Sequence, residues 1–172
     1  GRRVTYAYDA GGRLATVVDK IGNAAGQDPS LHRWQYAYDG ATQHLTTLTD
    51  PDGRVRVRNT YDGQGRVIEQ RDGLNALTTI SYGSGQTTVT DPRGHQTTYT
   101  FDARMRVLTQ TDVVGASTYT LSYTYDAAGN RTSVTDRRGQ RTDLTYDARG
   151  NVLTKTDPSP DGTSPRPLTT FA

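Results

Sequence analysis

Hydrophobic and polar residues alternate one by one along many short stretches of the chain. Thr97, Tyr99 and Phe101 fall on one side of such a stretch, whereas Thr98 and Thr100 fall on the other. Alternation with a period of two, rich in Tyr and Thr, is typical of a half-buried β-strand. We find no stretch with the three- and four-residue spacing of an amphipathic helix. The pattern therefore predicts an all-β protein.

A second kind of stretch is also rich in strand-forming residues but alternates less regularly. Residues 106–111 are an example, because the hydrophobic residues Val107 and Leu108 are adjacent. In a regular strand these two side chains would lie on opposite faces of the sheet. The two kinds of stretch follow one another along the chain, so the sequence predicts strand, turn, strand, turn.

One short motif recurs along the chain. Its clearest copy is Tyr146-Asp147-Ala148-Arg149-Gly150-Asn151-Val152-Leu153-Thr154. Further copies or remnants open near Tyr8, Tyr38, Tyr61, Tyr82, Phe101 and Tyr125. Recurrence of one motif along a chain is the signature of a repeat protein. We expect about seven repeats in residues 1–157, with an inserted loop near residues 23–34 and the start of a truncated further repeat in residues 158–172.

Each repeat contains two predicted turns. One begins at the Asp of the motif, and the other begins at a second Asp, which usually lies ten residues later. Asp-Pro-x-Gly, as in residues 91–94, has the residues preferred in a type I turn, and Asn75 ends a related turn because Asn tolerates a positive φ. The first set is predicted at residues 9–12, 62–65, 102–105, 126–129 and 147–150. The second set is predicted at residues 19–22, 50–53, 72–75, 91–94, 112–115 and 136–139.

Composition changes this picture only by excluding other classes of protein. Only 32% of residues are hydrophobic, which alone would favour disorder, but 11 Tyr in a fixed register argue against it. The net charge of +2 comes from basic and acidic residues mixed along the chain, so no nucleic-acid partner is predicted. There is no Cys, and no hydrophobic run approaches the ~18 residues of a membrane span, so membrane insertion is not predicted either.

The repeated pattern, Tyr-Asp-Ala-x-Gly-Asn/Arg-Val/Leu-Leu-Thr followed by Thr-Asp-Pro-x-Gly, resembles the RHS or YD repeat. The resemblance runs from Gly1 to about Asp157. It implies tandem β-hairpins in a curved, continuous antiparallel sheet that forms part of a shell or spiral. Bacterial members of that family are large secreted or cell-surface proteins, and many enclose a C-terminal toxin. Related repeats occur in insecticidal toxin complexes and in teneurin adhesion receptors.

The resemblance also implies a function and partners. This chain would be a structural shell segment of a secreted or surface bacterial RHS protein, in the manner of a polymorphic toxin. Its partners would be flanking repeats of the same parent chain, or neighbouring copies at open sheet edges, and an enclosed toxin domain. Gly1 stands where a turn Gly is expected, and Thr170-Phe171-Ala172 matches Thr5-Tyr6-Ala7, so we expect a segment of a longer array.

Toxin-bearing members of the family end their repeats with a segment that closes the shell and, in many, cleaves the chain with aspartates. Asp157-Pro158-Ser159-Pro160-Asp161-Gly162 has the residue types of that segment but not their order. No catalytic residue is therefore carried over. Since the polar residues recur with the repeat, they do not form the unrepeated nucleophile, base and oxyanion donors of an enzyme. We expect no enzymatic activity, no cofactor and no metal.

The repeated polar residues each allow a functional interpretation and a structural one. Stacked Asp residues suggest calcium, with Asp50-Pro51-Asp52-Gly53 as part of a loop, but Asp side chains also accept turn N–H groups, and no Glu completes an EF-hand. Stacked Tyr residues suggest a platform for sugar rings, but aromatic and Thr side chains also form cross-strand ladders. We favour the structural interpretation in both cases. The alternative function is a glycan- or protein-binding, adhesin-like module that assembles into a filament.

Two further sets of residues have no functional motif. The histidines are scattered at His32, His44 and His95. One column after the motif Asp holds Arg13, Arg66, Arg106, Asn130 and Asn151. A column that accepts both Arg and Asn indicates an exposed turn flank rather than an anion site.

Overall fold

The computed structural model describes residues 3–171, so Gly1 and Ala172, with the expectations placed on them, lie outside the described residues. Within this range the chain has fifteen strands and one 3-10 helix, Pro29–His32, which confirms the all-β prediction. The strands are β1 (Thr5–Tyr8), β2 (Leu14–Val18), β3 (Arg33–Tyr38), β4 (Leu45–Thr49), β5 (Val55–Tyr61), β6 (Val67–Asp72), β7 (Leu77–Gly83), β8 (Gln86–Thr90), β9 (Gln96–Phe101), β10 (Val107–Val114), β11 (Ser117–Tyr125), β12 (Arg131–Thr135), β13 (Arg141–Tyr146), β14 (Val152–Thr156) and β15 (Leu168–Thr170).

The chain divides into two compact units, Gly1–Ile80 and Ser81–Ala172. In the first unit each strand from β1 to β5 pairs antiparallel with the next strand along the chain, and β6 pairs with residues 77–79 at the start of β7. In the second unit the strands from β8 to β15 pair in the same way. Every connection within a unit is therefore between neighbouring strands, as predicted for tandem antiparallel hairpins.

Most of the predicted turns are confirmed by a hydrogen bond from the N–H of the fourth residue to the carbonyl oxygen of the Asp. This bond closes residues 9–12, 50–53, 62–65, 72–75, 91–94, 102–105, 126–129, 136–139 and 147–150. The fourth residue has a positive φ, which Gly adopts without strain. Asn75 and Met105 adopt it without being Gly, at φ 63 and 61.

The turn predicted at residues 112–115 is wrong. Asp112 lies within β10, opposite Tyr119, and the hairpin closes at Gly115 and Ala116, directly after β10 ends at Val114. A two-residue loop with Gly at a positive φ is the favoured connection between antiparallel strands. It prevails here over the Asp-x-x-Gly signature because β10 and β11 continue their pairing as far as Val114 and Ser117.

The turn predicted at residues 19–22 differs in a more limited way. The Asp19 side chain accepts the N–H groups of Ile21 and Gly22, but the Asp19 carbonyl oxygen accepts the N–H of Asn23. Gly22 does not have a positive φ; instead, a Cβ added there would lie 2.5 Å from the Cβ of His32. This Gly is therefore required for close packing against His32 and Val18 rather than for turn conformation.

The irregular alternation after each motif has a structural cause that the sequence did not reveal. The register of each hairpin shifts by one residue between the first residue of the motif and the residue before it. The next strand therefore contains one extra residue, as in a β-bulge. The extra residues are Ala15, Thr46, Ile68, Leu108, Thr132 and Leu153. Leu108 therefore does not continue the alternation that Val107 begins.

Few residues of the described range are fully buried. The buried residues are the hydrophobic Val18, the polar Asp50 and Ser133, and Gly22. In the second unit, hydroxyl pairs at 2.7–3.1 Å link Thr88 to Thr98, Thr100 to Thr109 and Thr111 to Thr120 across strands. Because a large hydrophobic core is lacking in this range, backbone ladders and cross-strand pairs carry much of the stability.

Candidate functional site

The Asp of each motif is held by its own turn. In the turn at residues 102–105, one Asp102 carboxylate oxygen accepts the N–H groups of Arg104 and Arg106, at 2.8 and 3.0 Å. The other oxygen accepts Arg106 Nε at 2.7 Å. Asp9 makes the same three contacts with Gly11 and Arg13. Both carboxylate oxygens thus have structural partners, as the turn interpretation of the Asp rows predicts.

These contacts favour the ionised carboxylate. The Arg106 side chain first, and then its backbone N–H, hold the pKa of Asp102 below its usual value. In the last clear motif, the Asn151 side-chain amide first, and then its backbone N–H, lower the pKa of Asp147. Arg and Asn thus serve the same purpose in this column, which is to donate a hydrogen bond to the turn Asp. Among residues 3–171, no three His, Asp or Glu side chains are grouped as metal ligands.

The motif Tyr links its hairpin to the preceding one. Its hydroxyl donates a hydrogen bond to a backbone carbonyl oxygen at the start of the second strand of the previous repeat. We call this contact the Tyr clasp. It joins Tyr38 to Leu14 at 2.8 Å, Tyr61 to Leu45 at 2.7 Å, Tyr125 to Val107 at 2.9 Å and Tyr146 to Arg131 at 2.8 Å.

The Arg after the turn completes the Tyr clasp in the repeats of Arg13 and Arg106. The Arg106 guanidinium lies over the Tyr125 ring, 4.7 Å from its centroid, and donates to the Asp126 carbonyl oxygen at 3.1 Å. Arg13 makes the equivalent contacts with Tyr38 and with the Asp39 carbonyl oxygen. The prediction of an exposed turn flank is therefore wrong for these two Arg residues, whose side chains are 26% exposed.

The sequence could not show that these Arg side chains contact the Tyr of the next repeat, because that contact depends on how the two repeats pair. His44 takes the same place in the degraded second motif. Its ring stacks on Tyr61 with centroids 4.7 Å apart.

The other two histidines lie apart from each other, His32 at the end of the 3-10 helix and His95 directly after the turn at residues 91–94. His32 is 3.6 Å from Asp19, and His95 is 3.2 Å from Asp91. Each of the three histidines thus has a different neighbour, Asp19, Tyr61 or Asp91. They do not form a common site within the described residues.

The segment with aspartates near the end of the chain is fixed to the sheet by Arg166. Its guanidinium donates to the Asp143 carboxylate and to the carbonyl oxygens of Arg141, Thr156 and Asp157. This loop borders an open cleft of about 570 Å³. The Arg166 guanidinium therefore already has partners within the protein.

Within that loop, Asp161 caps a local turn. Its carboxylate accepts the hydroxyl and N–H of Ser164 and the N–H of Thr163. These hydrogen bonds, with the Ser164 hydroxyl first, lower the pKa of Asp161 strongly. Asp161 is thus held as an ionised hydrogen-bond acceptor.

Comparison of the chain with known families agrees with this repeated architecture. The RHS repeat family matches residues 38–77, 106–141 and 125–164, which together make up more than half of the chain. The chain belongs to the RHS repeat family. None of the helices in the described residues combines the length and hydrophobicity needed to cross a membrane.

Solved structures with the same fold are also found, although no curated protein matches the chain. A crystal structure of TcdB2-TccC3-Cdc42 is similar over 97% of this chain and 10% of that chain, with 20% identity and a TM-score of 0.71. The Tc holotoxin pore of Photorhabdus luminescens, with a mutated TccC3, is similar over 97% of this chain and 9% of that chain, with 20% identity and a TM-score of 0.70. This chain thus spans about a tenth of the length of these structures.

Proposed function

We propose that this chain is a scaffold segment, a stretch of β-sheet wall in a large secreted or surface bacterial RHS protein. The observation that carries the proposal is the use of the repeated residues. The Tyr125 ring and hydroxyl, the Arg106 guanidinium and the Asp102 carboxylate all contact the protein itself. These repeated residues join one repeat to the next and so stabilise the array. The function of the segment is therefore structural.

The comparisons support a wall that belongs to a larger toxin assembly. Family membership and similarity to TcdB2-TccC3 over 97% of this chain favour that context. Within it, we propose that the flanking repeats of the parent chain are the direct partners, and that the wall encloses or displays a toxin domain. An extracellular location follows from this proposal.

The division into repeats is part of the same proposal. Residues 1–157 would form about seven repeats, with the inserted loop near residues 23–34, and residues 158–172 would begin a further one. In this arrangement the chain has no enzymatic role, because its repeated Asp, Tyr and Arg residues hold the turns and the Tyr clasps. A sugar-binding platform is disfavoured, since the rings of Tyr38 and Tyr125 are covered by Arg13 and Arg106.

Limited proteolysis of the intact parent protein tests this function. If the segment is part of an enclosing wall, an internal domain of the parent should resist protease until the wall is weakened. The variant carrying both Tyr125→Phe and Tyr146→Phe loses two Tyr clasps and should expose that domain to cleavage. Tyr119→Phe is the matched control, because Tyr119 is 43% exposed and is not part of a Tyr clasp. Equal cleavage of every domain in the unmodified parent would contradict an enclosing role.

A further inference from the structure

One cross-strand pair in the first unit is unfavourable as it stands. Arg58 on β5 is directly opposite Arg71 on β6. Directly opposed residues have Cβ atoms about 4.5–5.5 Å apart, and like charges in such a pair destabilise a sheet. Among the strand pairings described for residues 3–171, no other places two like charges opposite each other.

The two Arg residues line a cleft of about 270 Å³ within the same unit. The other lining residues are Arg54, Val55, Asp72, Gly73 and Asn75. Three guanidinium groups and one carboxylate therefore border the cleft. The Asp72 carboxylate is directed to its own turn, where it accepts the N–H groups of Leu74 and Ala76. With three guanidinium groups against one carboxylate, the cleft carries an excess of positive charge.

The guanidinium groups of the cleft have few hydrogen-bond or ion-pair partners within the protein. The Arg58 guanidinium makes no hydrogen bond or ion pair with any residue in the described range 3–171. Arg71 donates to the Asn75 carbonyl oxygen at 3.3 Å, and Arg54 is 3.5 Å from Asp52, with both side chains about two-thirds exposed. Glu69, two residues before Arg71 on β6, forms no ion pair within 4.0 Å in the same range.

The larger cleft near the end of the chain provides an internal comparison. It is bordered by Arg141 and Arg166. Arg141 Nε donates to the Asp143 carboxylate, and Arg166 has four acceptors within the protein. Those cations are already neutralised or bonded, whereas Arg58 in the smaller cleft is not. The larger cleft is therefore the weaker candidate for a binding site. The smaller cleft is the stronger candidate, because its positive charge and N–H donors are available.

We propose that the cleft of Arg54, Arg58 and Arg71 binds an oxyanion, a sulfate or phosphate group, by bridging the guanidinium groups of Arg58 and Arg71. Planar guanidinium groups offer paired N–H donors that match the oxygens of phosphate and sulfate. A bound oxyanion converts the repulsion of the cross-strand pair into two attractive contacts. The site is separate from the Tyr clasps and does not depend on the scaffold function proposed above.

Calorimetric titration of the 172-residue chain with inorganic sulfate and inorganic phosphate tests the site, at an ionic strength held constant with sodium chloride. Both Arg58→Gln and Arg71→Gln should weaken binding by roughly tenfold or more, as expected for losing a charge-assisted contact. Arg93→Gln is the matched control, since Arg93 is an exposed turn Arg outside the cleft. Its affinity should stay within about twofold of the unmodified chain.

Thermal unfolding without the anion gives a second readout. Because Arg58→Gln removes the like-charge pair, this variant should melt at the same or a higher temperature than the unmodified chain and should gain less from added sulfate. Glucose 6-phosphate, compared with inorganic phosphate, then shows whether the oxyanion belongs to a larger molecule or is a free ion. The proposal fails if neither ion binds, or if both cleft variants bind as tightly as the control.

Discussion

The Tyr125 hydroxyl donates a 2.9 Å hydrogen bond to the Val107 carbonyl oxygen and thereby links two successive hairpins of the second unit. Removing only the hydroxyl, in Tyr125→Phe, should lower the free energy of unfolding by about 0.5–1.5 kcal/mol, the usual net value of one hydrogen bond. Chemical denaturation measures the change. Tyr119→Phe, on the same strand, should have almost no effect; equal losses in the two variants would show that the Tyr clasp contributes nothing specific.

The Arg106 side chain should not be replaceable by Lys, although the charge is kept. Lys cannot donate to the Asp102 carboxylate and the Asp126 carbonyl oxygen in the same fork geometry while covering the Tyr125 ring. Loss of the cation–π contact alone should cost about 0.5–1 kcal/mol. Arg149→Lys is the control, because Arg149 is exposed and its side chain makes no described contact. Unchanged denaturation midpoints in both variants would contradict the role given to Arg106.

Substitution of two turn glycines by Ala distinguishes the cost of backbone strain from the cost of a steric clash. Gly139 has φ 79 and open space where a Cβ would stand, so Gly139→Ala should cost about 1–2 kcal/mol from the left-handed conformation alone. Gly65 has the same φ, but a Cβ there would lie 2.6 Å from the His44 ring. Gly65→Ala should therefore be the more destabilising change in thermal unfolding.

A second substitution tests the cause of that difference. Truncating the ring in the double variant Gly65→Ala, His44→Ala should remove the clash, so the two changes together should cost less than their sum. If the effects of the two changes add independently, the contact between Gly65 and His44 is not responsible.

The turn aspartates should make stability depend on pH in the acid range. The pKa values of Asp102 and Asp147 lie below the ordinary 3.8 because side-chain and backbone N–H groups stabilise the ionised form. A group with a lowered folded-state pKa stabilises the protein above its unfolded pKa, and this contribution is lost as the pH falls through the folded pKa. The melting temperature should therefore be nearly constant between about pH 7 and 5 and fall below about pH 4.

Substitution of one turn Asp tests whether that residue contributes to the loss of stability at acid pH. Asp102→Asn keeps an acceptor oxygen but cannot titrate, so its melting temperature should fall less steeply below about pH 4. Asp52→Asn is the control, since the Asp52 carboxylate accepts no backbone N–H in the described range. A steeper fall in Asp102→Asn than in the unmodified chain would contradict the assigned direction of the shift.

Local chemistry made most of the turns predictable. At residues 62–65, the Asp that accepts N–H groups and the Gly that tolerates a positive φ are both readable from the residue types. The same signature failed at residues 112–115, because extended pairing of β10 with β11 determines where that hairpin closes. A short motif cannot reveal how far a strand pair continues.

The contacts between repeats were not predictable, because they depend on register. The bulge at Leu108 and the position of Arg106 over Tyr125 appear only when the strands are paired. The same is true of Arg58 and Arg71, which are thirteen residues apart in the sequence and directly opposite each other in the sheet. Residue types thus indicated the repeats and their turns, whereas pairing determined which side chains meet.

Electron cryomicroscopy of the intact parent protein tests the scaffold proposal most directly. We expect the strands of residues 3–171 to continue into flanking repeats, with one face of the sheet lining an interior space that holds another part of the parent. A segment that projects from the parent with both faces in solvent, and with no enclosed space beside it, would contradict the proposal.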